Sequence, residues 1–325
     1  MSYKYKLASN LVPFSRVSDR FVSSGYHEGY ELSKKLEMAA AIDGITGAAG
    51  YWPCPGFSNG TALRKVFDNS GLKLATIDAD IYTDALFQNG SLSNPDPKIR
   101  RAAIERIKST IDAGIEAGSP DMNLWLGHDG FEYTFSGHYD DVWKLILEGL
   151  QELAEYNSKL PISLEYKLKE PRAFEYIANV GIALLLVSKI NKPHVGITLD
   201  VGHSLAALEN PANAAVLALR EGKLQQIHLN DNYRDWDHDL IPCTINFFEH
   251  IEFFYWIRKF GYKGWMGIDI FPYRDDGTEV TRRTVQTCRK CFQIVDKLTE
   301  MNVDELLHQG QRLEIMRLVW DLIGG

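Results

Sequence analysis

The sequence predicts a (β/α)8 barrel carrying an additional C-terminal helical segment. Three observations point to it. Short apolar runs alternate with long amphipathic stretches eight times along the 325 residues, the pattern of successive β/α units. Four of the later runs end on a carboxylate or an imidazole, and a parallel barrel gathers such strand ends at one mouth. No linker, low-complexity tract or charge block divides the chain. One barrel over residues 1–300 with a helical extension over 301–325 therefore accounts for the length.

The predicted strands cover 5–11, 43–47, 73–78, 121–127, 161–165, 194–200, 224–229 and 265–270. Helical stretches follow each, at 28–41, 60–70, 97–117, 138–158, 170–190, 204–221, 245–260 and 278–300. In SNPDPKIRRA, Asp96 precedes Pro97, which reads as a helix cap with proline at the first helical position. Cys288 and Cys291 form a CxxC in TVQTCRKCFQIV. At helical spacing they line a buried face, and with Cys54 and Cys243 they make no disulfide scaffold. Beyond the eighth unit, 302–323 is one helical segment whose apolar face includes Leu306, Leu307, Leu313, Met316 and Val319. It is expected to pack on the barrel or on a neighbouring subunit.

Composition narrows the function classes. The chain is 45% hydrophobic, enough for a sizeable core. No stretch approaches a membrane span, and the start lacks a secretory apolar core, so a cytoplasmic protein is expected. A net charge of −8 counts against nucleic acid, whose phosphates need a Lys/Arg surface.

The chemistry-bearing residues sit at strand ends. ISLEYK supplies Glu165, VGITLDVGH supplies Asp200 and His203, QQIHLND supplies His228, and WMGIDIFP supplies Asp269. NDNYRDWDHDL adds Asp237 and Asp239. Carboxylates packed this closely repel one another and resist ionisation, and divalent cations remove that penalty. Seven such residues on four successive strand ends point to a metal site assembled by the fold. Aromatic residues crowd the same mouth. Trp52, Trp125 and Phe271 offer aromatic faces to a ligand's C–H surfaces, and His128 in WLGHDG can reach a ligand's polar groups.

Taken together, Glu165, Asp200, His203, His228, Asp237, Asp239 and Asp269 resemble the metal pattern of the xylose isomerase-like TIM barrels. Three local motifs are similar to the sugar aldose–ketose isomerases of the L-rhamnose isomerase type. They are EYKLKEP, with Lys167 two residues after the first carboxylate, HLNDNYRDWDHDL, and GSLSNPD followed by Lys98 and Arg100. The resemblance implies a homo-oligomer, a dimer or tetramer, that acts on a small sugar with two divalent cations per subunit. Mn2+ is the expected ion, with Mg2+ and Co2+ as alternatives suited to oxygen-rich ligation. One cation would be held by Glu165, Asp200, His228 and Asp269, the other by Asp200, His203, Asp237 and Asp239. Lys167 would stand near the sugar carbonyl, and Glu165 and Asp269 complete the expected catalytic set.

Xylose isomerases carry a histidine–aspartate pair on an early strand that assists ring opening. Here LATIDADIYTD has no histidine, and Asp78 and Asp80 are the nearest groups. Three other readings stand beside the isomerase. A ketose 3-epimerase would use Glu165 and Asp269 as acid and base. An apurinic-site endonuclease-like hydrolase would need additional histidines and a basic surface. A binding module would need no second metal site.

Overall fold

A computed structural model describes residues 4–324 of the chain. Eight parallel strands close a barrel: β1 Lys6–Ser9, β2 Ile45–Trp52, β3 Lys73–Ala79, β4 Met122–Trp125, β5 Ile162–Glu165, β6 Val195–Asp200, β7 Leu224–Leu229 and β8 Trp265–Ile268. Each strand pairs with its neighbour in sequence, and β8 returns to β1. All eight strands therefore point their C-terminal ends at the same mouth.

Strand alternation sorts the side chains. Leu164, Ile197, Leu199, Ile227 and Leu229 are buried in the hydrophobic core, on the face where the outer helices pack. The intervening residues turn into the barrel, and they are polar. Thr198 Oγ1 lies 2.7 Å from both Asn123 Oδ1 and Ser163 Oγ, and Gln226 approaches the same hydroxyl at 3.5 Å. One step further along the same strands stand Trp125, Glu165, Asp200 and His228. The period of two in a strand thus converts Asn-Leu-Trp, Ser-Leu-Glu, Thr-Leu-Asp and Gln-Ile-His into two stacked layers. The lower layer is a hydrogen-bonded floor and the upper one is the site.

The helices follow the expected order with three differences. The stretch after β5 starts its helix only at Val180 and ends at Ile190. Residues before it form an excursion in which Phe174–Glu175 pairs antiparallel with Gly130–Phe131. The stretch after β6 is split into Val201–Ala206 and Pro211–Arg220, because Asn210 caps a new helix that has proline at its start. The C-terminal segment is also two helices, Val303–His308 and Arg312–Gly324, broken around Gly310 at φ 68°. Val303 and Val319 are buried, whereas Leu313 and Met316 are exposed. Strand β2 runs five residues longer at its C-terminal end than the apolar run suggests, pairing with β3 as far as Trp52 opposite Ala79. A Cβ on Gly47 would meet the Trp265 ring and the Lys73 carbonyl.

Local predictions about caps and cysteines hold. Asp96 accepts from the Lys98 amide at the start of the helix Pro97–Ala117, and Cys288 and Cys291 are buried within the helix Gly277–Glu300. Among the described residues no helix is long and apolar enough to cross a membrane.

Candidate metal centre

Glu165, Asp200, His228 and Asp269 come together at the mouth, each offering a ligand atom within 4.8 Å of the others. His228 Nδ1 is the centre of the group, 3.2 Å from Glu165 Oε1, 3.7 Å from Asp269 Oδ2 and 3.9 Å from Asp200 Oδ2. The cluster has four residues from four strands or strand ends, mostly oxygen donors with one imidazole. That donor set and spacing fit a divalent cation of the Mn2+, Mg2+ or Co2+ kind.

Neighbouring side chains hold the ligands in place. The Asn123 amide donates to Glu165 Oε2 at 2.7 Å, so the floor layer orients the first ligand. Asp200 ends β6 and caps the following helix by accepting from the His203 amide at 2.8 Å. Its other oxygen accepts from Asn230 Nδ2 at 3.0 Å. The same amide group donates to Asp239 Oδ1 at 2.8 Å, while the side-chain Asn230 Oδ1 accepts from Gly202 N at 2.7 Å. This close approach explains the glycine in LDVGH. A Cβ at position 202 would sit 2.4 Å from Asn230 Oδ1.

The loop that carries Asp237 and Asp239 is closed at its base. Asp231 and Leu240 exchange backbone hydrogen bonds of 3.0 and 2.9 Å. The buried Asp231 carboxylate accepts from the Ile245 and Asn246 amides and from the Asn246 side chain. Asp237 Oδ2 lies 3.0 Å from His203 Nε2 and 2.8 Å from Lys167 Nζ, while Asp237 Oδ1 is buried without a hydrogen-bond partner. Within the set Asp200, His203, Asp237 and Asp239, His203 and Asp237 pair with each other while Asp200 and Asp239 share the Asn230 amide. Lys167 also pairs with Glu170 at 3.2 Å and lies over the Trp125 ring, 4.9 Å from its centroid.

Burial and charge set the protonation of these groups. Burial works to raise the Glu165 carboxyl, yet His228 and His203 with the Asn123 amide bring it down to about 2. Asp200 is raised to about 7, chiefly by burial against the pull of His203. Burial opposes the charged form of both imidazoles. Glu165 outweighs it at His228, raised to about 10, and Asp200 and Asp237 outweigh it at His203, raised to about 9. Lys167 is buried, but Asp237 and Glu170 hold its ammonium well above the ordinary range. Asp239 is raised well above a normal carboxyl by burial and by Asp237.

The cluster opens into a cavity of about 1420 Å3, lined in part by Trp125 and Phe271. Two expected substrate residues are elsewhere. Trp52 alternates away from the cavity, and its indole donates to Ser109 Oγ at 2.9 Å in the packing against the helix Pro97–Ala117. Its neighbour Tyr51 lines the cavity instead. His128 stands behind the wall, with Nε2 2.8 Å from the Tyr82 carbonyl, and Tyr82 is the residue that lines the cavity. Asp80 is used by its own turn, accepting from the Tyr82 and Thr83 amides and the Thr83 hydroxyl. Asp78 faces the cavity from β3. Its Oδ1 is buried without a partner, and burial raises its carboxyl to about 8.

The sequence matches the family described as "Xylose isomerase-like TIM barrel" over residues 43–291, and the chain belongs to that family. It is 28% identical over 244 residues to a xylose isomerase from Thermus thermophilus, a match covering 73% of this chain and 63% of that protein. The chain thus spans about 63% of the length of this curated relative. Among solved structures it is similar to a D-tagatose 3-epimerase-like protein, with TM-score 0.67 and 18% identity, covering 91% of this chain and 100% of that one. A D-allulose 3-epimerase from Methylomonas sp. gives TM-score 0.65 and 14% identity, covering 90% and 100%. At these identities the structural likeness shows the fold.

Two outcomes follow from the geometry. A histidine ligand must be neutral, so a cation bound at the cluster displaces the proton that His228 holds up to about 10. Mn2+ affinity measured by titration calorimetry should therefore rise with pH through neutrality, by about tenfold per pH unit for each proton released. A pH-independent affinity would count against His228 as a ligand. Gly202→Ala should push Asn230 away from Asp200 and Asp239. The expected result is a melting temperature lowered by the equivalent of about 1–3 kcal/mol, together with weaker Mn2+ binding.

Proposed function

We propose that the protein is a metal-dependent sugar isomerase that interconverts an aldose and a ketose by moving hydrogen between C1 and C2. The observation that carries the reading is Lys167, a buried ammonium 2.8 Å from Asp237 that lines the same cavity as Glu165, His228 and Asp269. A fixed positive donor at this place suits a carbonyl oxygen that gains negative charge as hydrogen arrives at its carbon. The xylose isomerase relative supports the same reaction class.

Glu165, Asp200, His228 and Asp269 would hold the first cation, and Asp200, His203, Asp237 and Asp239 the second, for which Asp237 Oδ1 is the free donor atom. Divalent cations bound there supply Lewis-acid charge to adjacent sugar oxygens. The side chains supply the rest. Lys167 hydrogen-bonds the carbonyl oxygen and is kept charged by Asp237 and Glu170. Trp125, fixed by its indole N–H on Glu175 at 3.2 Å, walls the open chain against water. Asp78, protonated near neutral pH and aimed into the cavity, can hand a proton to the ring oxygen as the anomeric hydroxyl gives its own proton to solvent, so that the C1–ring oxygen bond breaks and the open-chain carbonyl forms.

A second reading is a ketose 3-epimerase, favoured by the way Glu165 and Asp269 reach one point from two different strands. Conversion in heavy water separates the two. The isomerase forms a product changed at C1 and C2, and a direct hydrogen shift leaves it with little solvent deuterium. Deuterium at C1 or C2 keeps the isomerase but indicates an enediol route. Inversion at C3 with deuterium at that carbon, located by NMR, would replace the isomerase with the epimerase. The role of Asp78 has its own check. Asp78→Asn should slow isomerisation of ring-forming sugars by about 100-fold, within the usual range for a general acid. It should slow glyceraldehyde, which forms no sugar ring, far less, and an equal loss on both would remove Asp78 from ring opening.

A further inference from the structure

The cavity is larger than a single sugar requires. At about 1420 Å3 it exceeds the roughly 300–1,000 Å3 of pockets that enclose drug-sized molecules, and a free monosaccharide is smaller than those. The excess volume lies in a definite place. The cluster occupies the ends of β5 to β8, whereas the rest of the cavity runs over β1 to β3. There it is walled by Ser15, Tyr30 and Lys35 after β1, Phe57 after β2, and Thr83 and Arg106 after β3. Asp78, Tyr51 and Trp125 join the two halves.

We propose that the substrate is a glycosylated sugar, whose reacting unit sits at the cluster and whose second, uncharged ring fills this arm. The inference deepens the isomerase reading and rests on it. The arm offers the two kinds of surface that a sugar ring needs. Tyr30, 40% exposed, and Phe57 present aromatic faces to C–H edges. Lys35 Nζ, which donates to Ser15 Oγ at 2.7 Å, and the Ser15 hydroxyl present polar atoms to ring hydroxyls. The charge of the arm disfavours an anionic group. Arg106 is already paired with Asp84 at 2.8 Å, and Lys35 shares the wall with Glu31, Asp80 and Asp84. No surplus positive charge is left for a phosphate or a carboxylate.

Sugar alcohols test this without chemistry, since they carry the hydroxyls at C1 and C2 and cannot isomerise. Binding of sorbitol, sorbitol 6-phosphate, and the disaccharide alcohols cellobiitol, maltitol and isomaltitol to Mn2+-loaded protein is measured by calorimetry. At least one disaccharide alcohol should bind about tenfold or more tightly than sorbitol. Tyr30→Ala should reduce that ratio severalfold, and Tyr30→Phe should keep it. Disaccharide alcohols that bind no tighter than sorbitol would overturn the proposal. A ratio unmoved by Tyr30→Ala would overturn the placement in the arm, and a preference for sorbitol 6-phosphate would overturn the uncharged ring. Failure of the isomerase reading would appear separately, as the absence of C1/C2 conversion for any sugar.

Discussion

Five carboxylates meet at the mouth of this barrel, and the need to balance their charge organises everything around them. Glu165, Asp200, Asp237, Asp239 and Asp269 are brought together with two imidazoles and one ammonium. Burial alone would protonate such acids. Instead the cluster divides its work. Glu165 and Asp237 stay ionised because His228, His203 and Lys167 stand against them, while Asp200 and Asp239 are pushed upward. The positions of the cations therefore decide which oxygens are free to bind something else. That is why the four-residue group closes around His228 while Asp237 is held by Lys167 and His203.

The floor beneath the site turns this balance into geometry. Ser163, Thr198, Asn123 and Gln226 form a polar layer inside the barrel, where apolar packing would leave Glu165 without an orienting donor. Buried polar layers are stable only when their members are satisfied, and here each hydroxyl and amide finds another. Asn230 does the same at the rim. One amide serves Gly202, Asp200 and Asp239 at once, so the β6 end, the β7 end and the following loop cannot shift independently. These hydrogen bonds fix the donor atoms from within the protein, which suits chemistry that depends on positioned charge.

Local sequence pattern and tertiary contact place different residues of this site. The ligands were legible because each ends an apolar run, and a strand end is a local pattern. The floor was legible too, had the alternation been followed one step back, since a polar residue stands two places before Trp125, Glu165, Asp200 and His228. Asn230 and Asp231 carried no such signal. They lie in a loop, and their value comes from partners 30 residues away for Asn230 and up to 15 for Asp231. Trp52 and His128 were misplaced for a related reason. Both adjoin the mouth in sequence, but strand alternation sends Trp52 outward to Ser109, and His128 turns to the Tyr82 carbonyl.

The sequence by itself determined the barrel, its strand order and the identity of the residues at the strand ends, because hydrophobic periodicity and residue type are local properties. Only the tertiary structure decided which of those residues meet. Four of the seven expected ligands close into one group, and Lys167 reaches Asp237 across a gap of 70 positions that no spacing rule spans. The cavity that extends from the cluster over β1 to β3 was likewise absent from the sequence. Its walls come from loops and helices far apart along the chain, and a shared empty volume exists only once the barrel has closed around it.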